Sequence, residues 1–189
     1  NATVIGSPRT WAYTYNSLGQ VLTIDGPRTD VVDKTTYTYD AATGNLLTIT
    51  NAAGHVTTLS NYDAHGRVGT IVDANGLTTN LTFHPRGWLA SRAVAGAGTT
   101  ETTSYDYDGT GQLSKVVLPD GAWIKYVYDD AHRLTKIFDN QANSIEYTLD
   151  SIGNRIGEET KDQSGNLVRK TTRVFDALNR LQEITGGAQ

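Results

Sequence analysis

The chain has 189 residues, of which 38% are hydrophobic and 19% charged, a composition that excludes an intrinsically disordered protein. Its 16 basic and 20 acidic residues are interspersed and leave a net charge of −4, which argues against nucleic acid as a partner. There is no cysteine, so disulfides and thiol chemistry are excluded, and no apolar window approaches the ~18 residues of a transmembrane helix. Methionine is absent too, even at the start, and we therefore expect a fragment or processed product of a longer protein.

An aromatic residue, replaced by leucine in one copy, stands before an acidic or polar residue eight times, at steps of 21 to 26 residues. All ten tyrosines lie at this marker position or two residues before it. A near-constant period over eight copies predicts a repeat architecture. The marker positions are Tyr15, Tyr39, Tyr62, Phe83, Tyr107, Tyr128, Leu149 and Phe175.

Each repeat has the sequence features of two strands and two turns. In the second repeat, residues 35–39 alternate β-branched and aromatic side chains, residues 40–45 favour a turn, and residues 46–50 favour a returning strand. Residues 51–54 form the second turn, and the next repeat begins at Val56. Eight such repeats predict about sixteen short antiparallel strands.

The returning strands carry apolar residues three positions apart, as at Leu46 and Ile49. In a regular strand this spacing sends the two side chains to opposite faces. Either both faces are partly covered or a β-bulge intervenes, and both alternatives remain open at this point.

Two repeats depart from the pattern, and three segments are longer than it requires. The fourth repeat has His84-Pro85-Arg86 in place of the acidic turn, which predicts a locally irregular or edge position, and the seventh has Leu149 for the aromatic residue. Residues 27–34, 93–103 and 158–170 are predicted to be protruding loops.

Recurrent turn residues follow each marker. The aspartates are interpreted as turn formers whose side chains accept hydrogen bonds from backbone amides, rather than as catalytic carboxylates, because equivalent environments do not separate the pKa values of an acid and a base. The residue that ends each turn is predicted to have a positive φ. The aspartates are Asp40, Asp63, Asp108, Asp129, Asp150 and Asp176, and the glycines are Gly19, Gly44, Gly66, Gly87, Gly111 and Gly153, with His132 and Asn179 in the other two repeats.

No catalytic, cofactor-binding or metal-binding residue is predicted. The segment Asp106-Tyr107-Asp108 resembles the start of a calcium loop, but the twelfth position is Val117. The four histidines are spread over four repeats without the spacing of a metal site.

These motifs resemble the YD repeats of the RHS family, as in Tyr62-Asp63-Ala64-His65-Gly66-Arg67. The family includes bacterial polymorphic toxins, the C components of insecticidal toxin complexes, wall-associated proteins and teneurins. The resemblance covers residues 11–184 and treats residues 1–189 as one array. It implies a curved all-β sheet of tandem hairpins, part of a hollow shell that encloses a toxic domain in the toxin members, and a secreted or cell-surface location. Since there is no Asp-Pro dipeptide, the self-cleaving end of such a shell is not expected here.

The resulting interpretation is a non-catalytic scaffold, with other repeats and an enclosed toxin domain as partners and with edge-to-edge self-association of the chain. A carbohydrate-binding module is the alternative function, because tyrosine pairs with Trp11 and Trp123 nearby could stack on sugar rings. The simpler explanation of those rings is cross-strand packing that fixes strand register. A β-propeller is the alternative fold, although its blades would each consume two repeats.

Overall fold

The computed structural model describes residues 9–188, which contain sixteen β-strands and no helix. The strands are β1 Ala12–Tyr15, β2 Val21–Asp25, β3 Lys34–Tyr39, β4 Leu46–Thr50, β5 Val56–Ser60, β6 Thr70–Val72, β7 Thr78–Phe83, β8 Leu89–Gly96, β9 Thr99–Tyr107, β10 Leu113–Val117, β11 Trp123–Tyr128, β12 Leu134–Asp139, β13 Ser144–Leu149, β14 Arg155–Lys161, β15 Leu167–Phe175 and β16 Leu181–Ala188. The predicted all-β array of tandem antiparallel hairpins is thereby confirmed.

The chain divides into two compact units. The first contains the chain up to Thr82 together with residues 92–101, and the second contains residues 83–91 and everything from Thr102 onward. Strand order follows chain order in both units, and every described strand pair in them is antiparallel.

Neither unit has a conventional hydrophobic core. Among residues 9–188 no apolar side chain is fully buried, and the two buried residues are the polar Ser144 and Thr171. Stability must therefore come from contacts between neighbouring hairpins within the sheet.

Two segments predicted to be loops are strands instead. Residues 93–103 belong mostly to β8 and β9, joined by a tight turn at Ala97 and Gly98, both at positive φ. Residues 158–170 extend β14 and β15, where Glu159 lies opposite Lys170. The loop prediction was wrong because it took polar residues as a sign of a loop. A sheet without a buried core accepts charged side chains on its strands.

The third repeat contains an irregularity that the sequence did not predict. β5 ends at Ser60, Asn61 follows with φ 53°, and β6 has only three residues. A side chain at Gly69 would collide with the Asn61 carbonyl, so this close backbone approach requires glycine there.

Candidate functional site

Asp63 shows how the turn after each marker residue is built. The Asp63 N–H donates to the Arg67 carbonyl and the Gly66 N–H donates to the Asp63 carbonyl, both at 3.0 Å. Gly66 has φ 76°, as a three-residue hairpin loop requires. Asp63 Oδ1 accepts hydrogen bonds from the N–H groups of His65 (2.8 Å) and Arg67 (3.1 Å). The carboxylate therefore satisfies two amides that the turn leaves unpaired.

The same backbone pattern recurs in the other repeats. The turn at Asp40 is one residue longer, since the Asp40 N–H donates to the Asn45 carbonyl. The turns with the pattern of Asp63 begin at Asn16, His84, Asp108, Asp129, Asp150 and Asp176. The residues that end the eight turns, all at positive φ, are Gly19, Gly44, Gly66, Gly87, Gly111, His132, Gly153 and Asn179.

The fourth repeat keeps this turn despite its different sequence. His84 Nδ1 accepts the Arg86 N–H (3.2 Å) where the other repeats use a carboxylate oxygen. Pro85 occupies the second turn position, where its fixed φ is favourable. The turn irregularity expected at Pro85 is therefore not observed.

The second turns use the same chemistry, which was not predicted from the sequence. Asp139 Oδ1, for example, accepts the N–H groups of Gln141 and Asn143, each at 2.9 Å. The signal was present in the sequence, because an aspartate or asparagine stands three residues before the residue with positive φ. The other residues of this type are Asn51, Asp73 and Asp162.

A register shift decides between the two explanations of the three-residue apolar spacing. Tyr37 pairs with Ile49 and Tyr39 with Leu46, so Leu47 is the extra residue of a bulge. Leu46 and Ile49 consequently lie on the same face as the two tyrosines. Comparable shifts occur beside Tyr15, Tyr107, Tyr128, Leu149 and Phe175.

The marker tyrosine joins its own repeat to the preceding one. Tyr128 donates its hydroxyl hydrogen to the carbonyl of Leu113, the first residue of the preceding returning strand, at 2.9 Å. We call this contact the junction hydrogen bond. The other three are Tyr39 to Val21 (2.9 Å), Tyr62 to Leu46 (2.6 Å) and Tyr107 to Leu89 (3.0 Å).

The turns of neighbouring repeats also touch one another. Gln20 Nε2 donates to the Gly44 carbonyl (2.8 Å), and Gln112 Nε2 donates to the His132 carbonyl (2.8 Å). In both cases the residue after one turn reaches the positive-φ residue of the next. Arg86 to the Gly109 carbonyl and Arg133 to the Asp150 carbonyl are variants of this contact.

Ionisation at these junctions is set by local contacts. The Arg133 guanidinium donates to Asp129 Oδ2 (2.8 Å) and, with the Arg133 N–H, lowers the pKa of the Asp129 carboxyl. Burial raises the pKa of the Tyr128 hydroxyl, as it does for Tyr62 and Tyr107. At neutral pH the aspartate is therefore an ionised acceptor and the tyrosine a neutral donor.

The tryptophans lie in different surroundings. Trp11 is 51% exposed and precedes β1, and Trp123 begins β11, where Phe138 meets it edge-on at 5.7 Å. Trp88, which was not predicted to be a site residue, stacks on His84 (5.2 Å between ring centroids) and tilts against Tyr107 (5.2 Å). The departure of the fourth repeat from the pattern was the only signal for this cluster.

Within residues 9–188, histidine and carboxylate side chains form no cluster of three or more that could hold a metal ion. No helix in the same part of the chain is long and apolar enough to cross a membrane.

A family model described as Teneurin YD-shell matches residues 1–156. The chain belongs to this family. Membership confirms the resemblance to YD repeats that the sequence motifs indicated. A search of curated proteins found no match to the YD-shell chain.

Solved structures show the same fold. The crystal structure of TcdB2-TccC3-TEV aligns with 93% of this chain at a TM-score of 0.74 and 19% sequence identity. That of TcdB2-TccC3-Cdc42 aligns with 92% at a TM-score of 0.66 and 15% identity. At these identities the likeness concerns the fold alone, and the YD-shell chain spans 11% and 12% of the length of those proteins.

Proposed function

We propose that the chain is a non-catalytic segment of a shell wall that encapsulates or presents a toxin or effector domain. The observation that supports this most is the junction hydrogen bond, which repeats with the same geometry at Tyr39, Tyr62, Tyr107 and Tyr128. A catalytic site needs residues whose environment in one repeat differs from that in the other repeats. A shell wall instead needs the same contact between neighbouring repeats many times.

On this proposal residues 1–189 form one repeat array within a longer polypeptide. Its partners are the adjacent repeats and an enclosed effector domain, and its location is secreted or at the cell surface, where such an effector would be delivered. A sheet without a buried core suits this role. Each hairpin is stabilised by its neighbours, so further repeats can be added to the array in the same way.

A graft tests the proposal. Residues 11–184 replace the matching hairpins of the TcdB2-TccC3-TEV protein, and the resistance of its carboxyl-terminal part to protease is measured. We expect the graft to preserve resistance, and a graft carrying Tyr39→Phe, Tyr107→Phe and Tyr128→Phe to lose more of it than one carrying Tyr15→Phe. A graft that folds but leaves the carboxyl-terminal part fully accessible contradicts an enclosing role.

A further inference from the structure

We infer that His84 is an acid-sensitive switch that loosens the contact between the fourth and fifth repeats. The switch consists of the turn at residues 84–88, the hydrogen bond that the His84 ring accepts in it, and the contact of Arg86 with the fifth repeat. All of these residues lie in the second unit. The switch would operate whether or not the chain encloses an effector domain.

His84 is the only histidine among the residues that open the eight marker turns. Its Nδ1 accepts the Arg86 N–H at 3.2 Å, where the other turns use a carboxylate or an asparagine oxygen. An imidazole ordinarily gains a proton between about pH 8 and pH 5, and both ring nitrogens of the charged form are donors. The charged ring therefore cannot accept the Arg86 N–H in either orientation.

A second cation opposes the charged form of the ring inside the turn. The His84 ring stacks on Trp88 with centroids 5.2 Å apart, and the Arg86 guanidinium lies 5.5 Å from the centroid of the same Trp88 ring. Protonation would bring a second positive charge to this indole. The hydrogen bonds from the His84 N–H to the Trp88 carbonyl and from the Gly87 N–H to the His84 carbonyl, both 2.7 Å, do not involve the imidazole. We therefore expect a local change rather than unfolding.

The fifth repeat supplies charges of the opposite sign. The titratable residues that border a hollow together with His84 are Arg86 on its own turn and Tyr105, Asp106, Tyr107 and Asp108 on the fifth repeat. Hydrogen bonds from the Thr110 hydroxyl and the Gln112 N–H hold the pKa of the Asp108 carboxyl below its usual range, so Asp108 stays ionised over the same pH interval. The carboxylates attract an imidazolium that has left the turn. Acid would thus move the ring from one set of partners to another.

The change reaches the next repeat through Arg86. Its Nη1 donates to the Gly109 carbonyl at 2.8 Å, and Gly109 lies in the turn of the fifth repeat. That contact depends on the backbone position that the His84 ring fixes by accepting the Arg86 N–H. Loss of the accepted hydrogen bond would therefore weaken the contact between the two repeats, as protonation of histidine does in other pH-sensitive interfaces.

The other three histidines make different contacts. His132 Nδ1 lies 2.8 Å from a glutamine side-chain oxygen, which can only accept, so this ring donates and keeps its contact when it is protonated. His65 contributes its backbone N–H to its turn. His55 Nδ1 accepts from the side-chain amide of Asn51 at 3.4 Å, not from a backbone N–H. The chemistry of an acid-sensitive turn is therefore specific to His84.

NMR of the full 189-residue chain between about pH 8 and pH 5 tests the switch. We expect the Arg86 amide proton to shift in one step with the same midpoint as the His84 ring protons. Its protection against solvent exchange, corrected for the intrinsic rate, should fall by about fivefold, the effect of losing a typical hydrogen bond. The Gly109 carbonyl carbon should shift over the same pH range.

Two variants separate the switch from other titrations. His84→Asn should keep the turn, because Asn16 opens the first turn in the same way, and should abolish the responses of the Arg86 amide and the Gly109 carbonyl. His132→Asn is the matched control, since Asn179 occupies the equivalent position with the same φ of 62°. It should leave both responses unchanged.

Thermal unfolding verifies that each variant folds. Different midpoints for the Arg86 amide and the His84 ring, or a response that persists in His84→Asn, would overturn the switch. A Gly109 carbonyl that stays constant while the Arg86 amide responds would overturn its effect on the next repeat. If His84→Asn fails to fold, the two midpoints in the parent chain decide. None of these outcomes affects the graft experiment on the shell role.

Discussion

The junction hydrogen bond can be measured by removing one hydroxyl group. Tyr128→Phe keeps the ring and deletes the donor to the Leu113 carbonyl, which lies 2.9 Å away in a partly buried position. A typical intramolecular hydrogen bond contributes about 1 kcal/mol, and an acceptor left without a partner adds a further cost when it is buried. Because Leu113 is only partly buried, this further cost should be small, and we expect a total loss of about 1 to 1.5 kcal/mol.

Tyr15→Phe is the matched control. Tyr15 occupies the same marker position, but its side chain is 56% exposed and makes no hydrogen bond within residues 9–188. Its substitution should change the free energy of unfolding by less than about 0.5 kcal/mol. The comparison separates the hydroxyl contact from any general effect of replacing tyrosine by phenylalanine.

Urea unfolding followed by circular dichroism is the assay. Tyr128→Phe should lower the midpoint without changing the dependence of the free energy on urea, and it should lower the melting temperature by about 2–4 °C for each kcal/mol lost. Equal effects of Tyr128→Phe and Tyr15→Phe would refute the reasoning, because the hydroxyl would then contribute nothing across the junction.

The pH dependence gives an independent check. Burial raises the pKa of the Tyr128 hydroxyl in the folded state above its unfolded value of 10.0. The folded state then binds the proton more tightly, so this contribution to stability is complete below pH 10 and is lost as the pH rises through the folded pKa. Tyr128→Phe should flatten that part of the stability profile.

Three further outcomes are expected. Asp129→Asn should reduce the acid sensitivity of the melting temperature. The folded-state pKa of Asp129 lies below 3.8, so its contribution to stability is present above that pH and is lost as the pH falls through the folded pKa. An unchanged loss of melting temperature at acid pH would contradict this. Gly111→Ala should destabilise the chain more than Gly19→Ala in urea unfolding, since both have positive φ but only at Gly111 would the added carbon lie 2.5 Å from a tryptophan ring. If the chain associates edge to edge, Thr14→Lys on β1 and Ile184→Lys on β16 should lower its mass by light scattering, and a strictly monomeric parent chain at high concentration would exclude such association.

The fold could be predicted from the sequence because each repeat places the same strand and turn residues at a nearly constant period. Tyrosine at alternate positions before an aspartate, followed by glycine three residues later, specifies strand, turn and strand without reference to distant residues. The strand at Leu46–Thr50, for example, was predicted with the bounds that the structure has.

The contacts between neighbouring repeats could not be predicted from the sequence, because they depend on which residue of one repeat faces which residue of the next. A single bulge residue such as Leu47 shifts the register, and with it the carbonyl that a tyrosine hydroxyl can reach. The close approach of Gly69 to Asn61 has the same origin: the sequence shows two ordinary residues, and only the pairing shows why one must be glycine.

Three repeats lack a marker hydroxyl, and other contacts join them to the preceding repeat. At Phe83 the strands β6 and β7 are linked by a hydrogen bond from Thr70 Oγ1 to Asn80 Oδ1 (2.9 Å). Leu149 and Phe175 cannot form the junction hydrogen bond, and the cross-strand ion pairs run through the same region. Glu146 on β13 contacts Lys136 on β12 and Lys161 on β14, which lowers the pKa of its carboxyl. With no apolar side chain fully buried within residues 9–188, each junction needs some cross-strand contact, and charge takes the place of the tyrosine hydroxyl here. The tyrosine hydroxyl is therefore one of several cross-strand contacts that meet the same requirement, which explains why Leu149 and Phe175 can replace the marker tyrosine while the strand pairing continues.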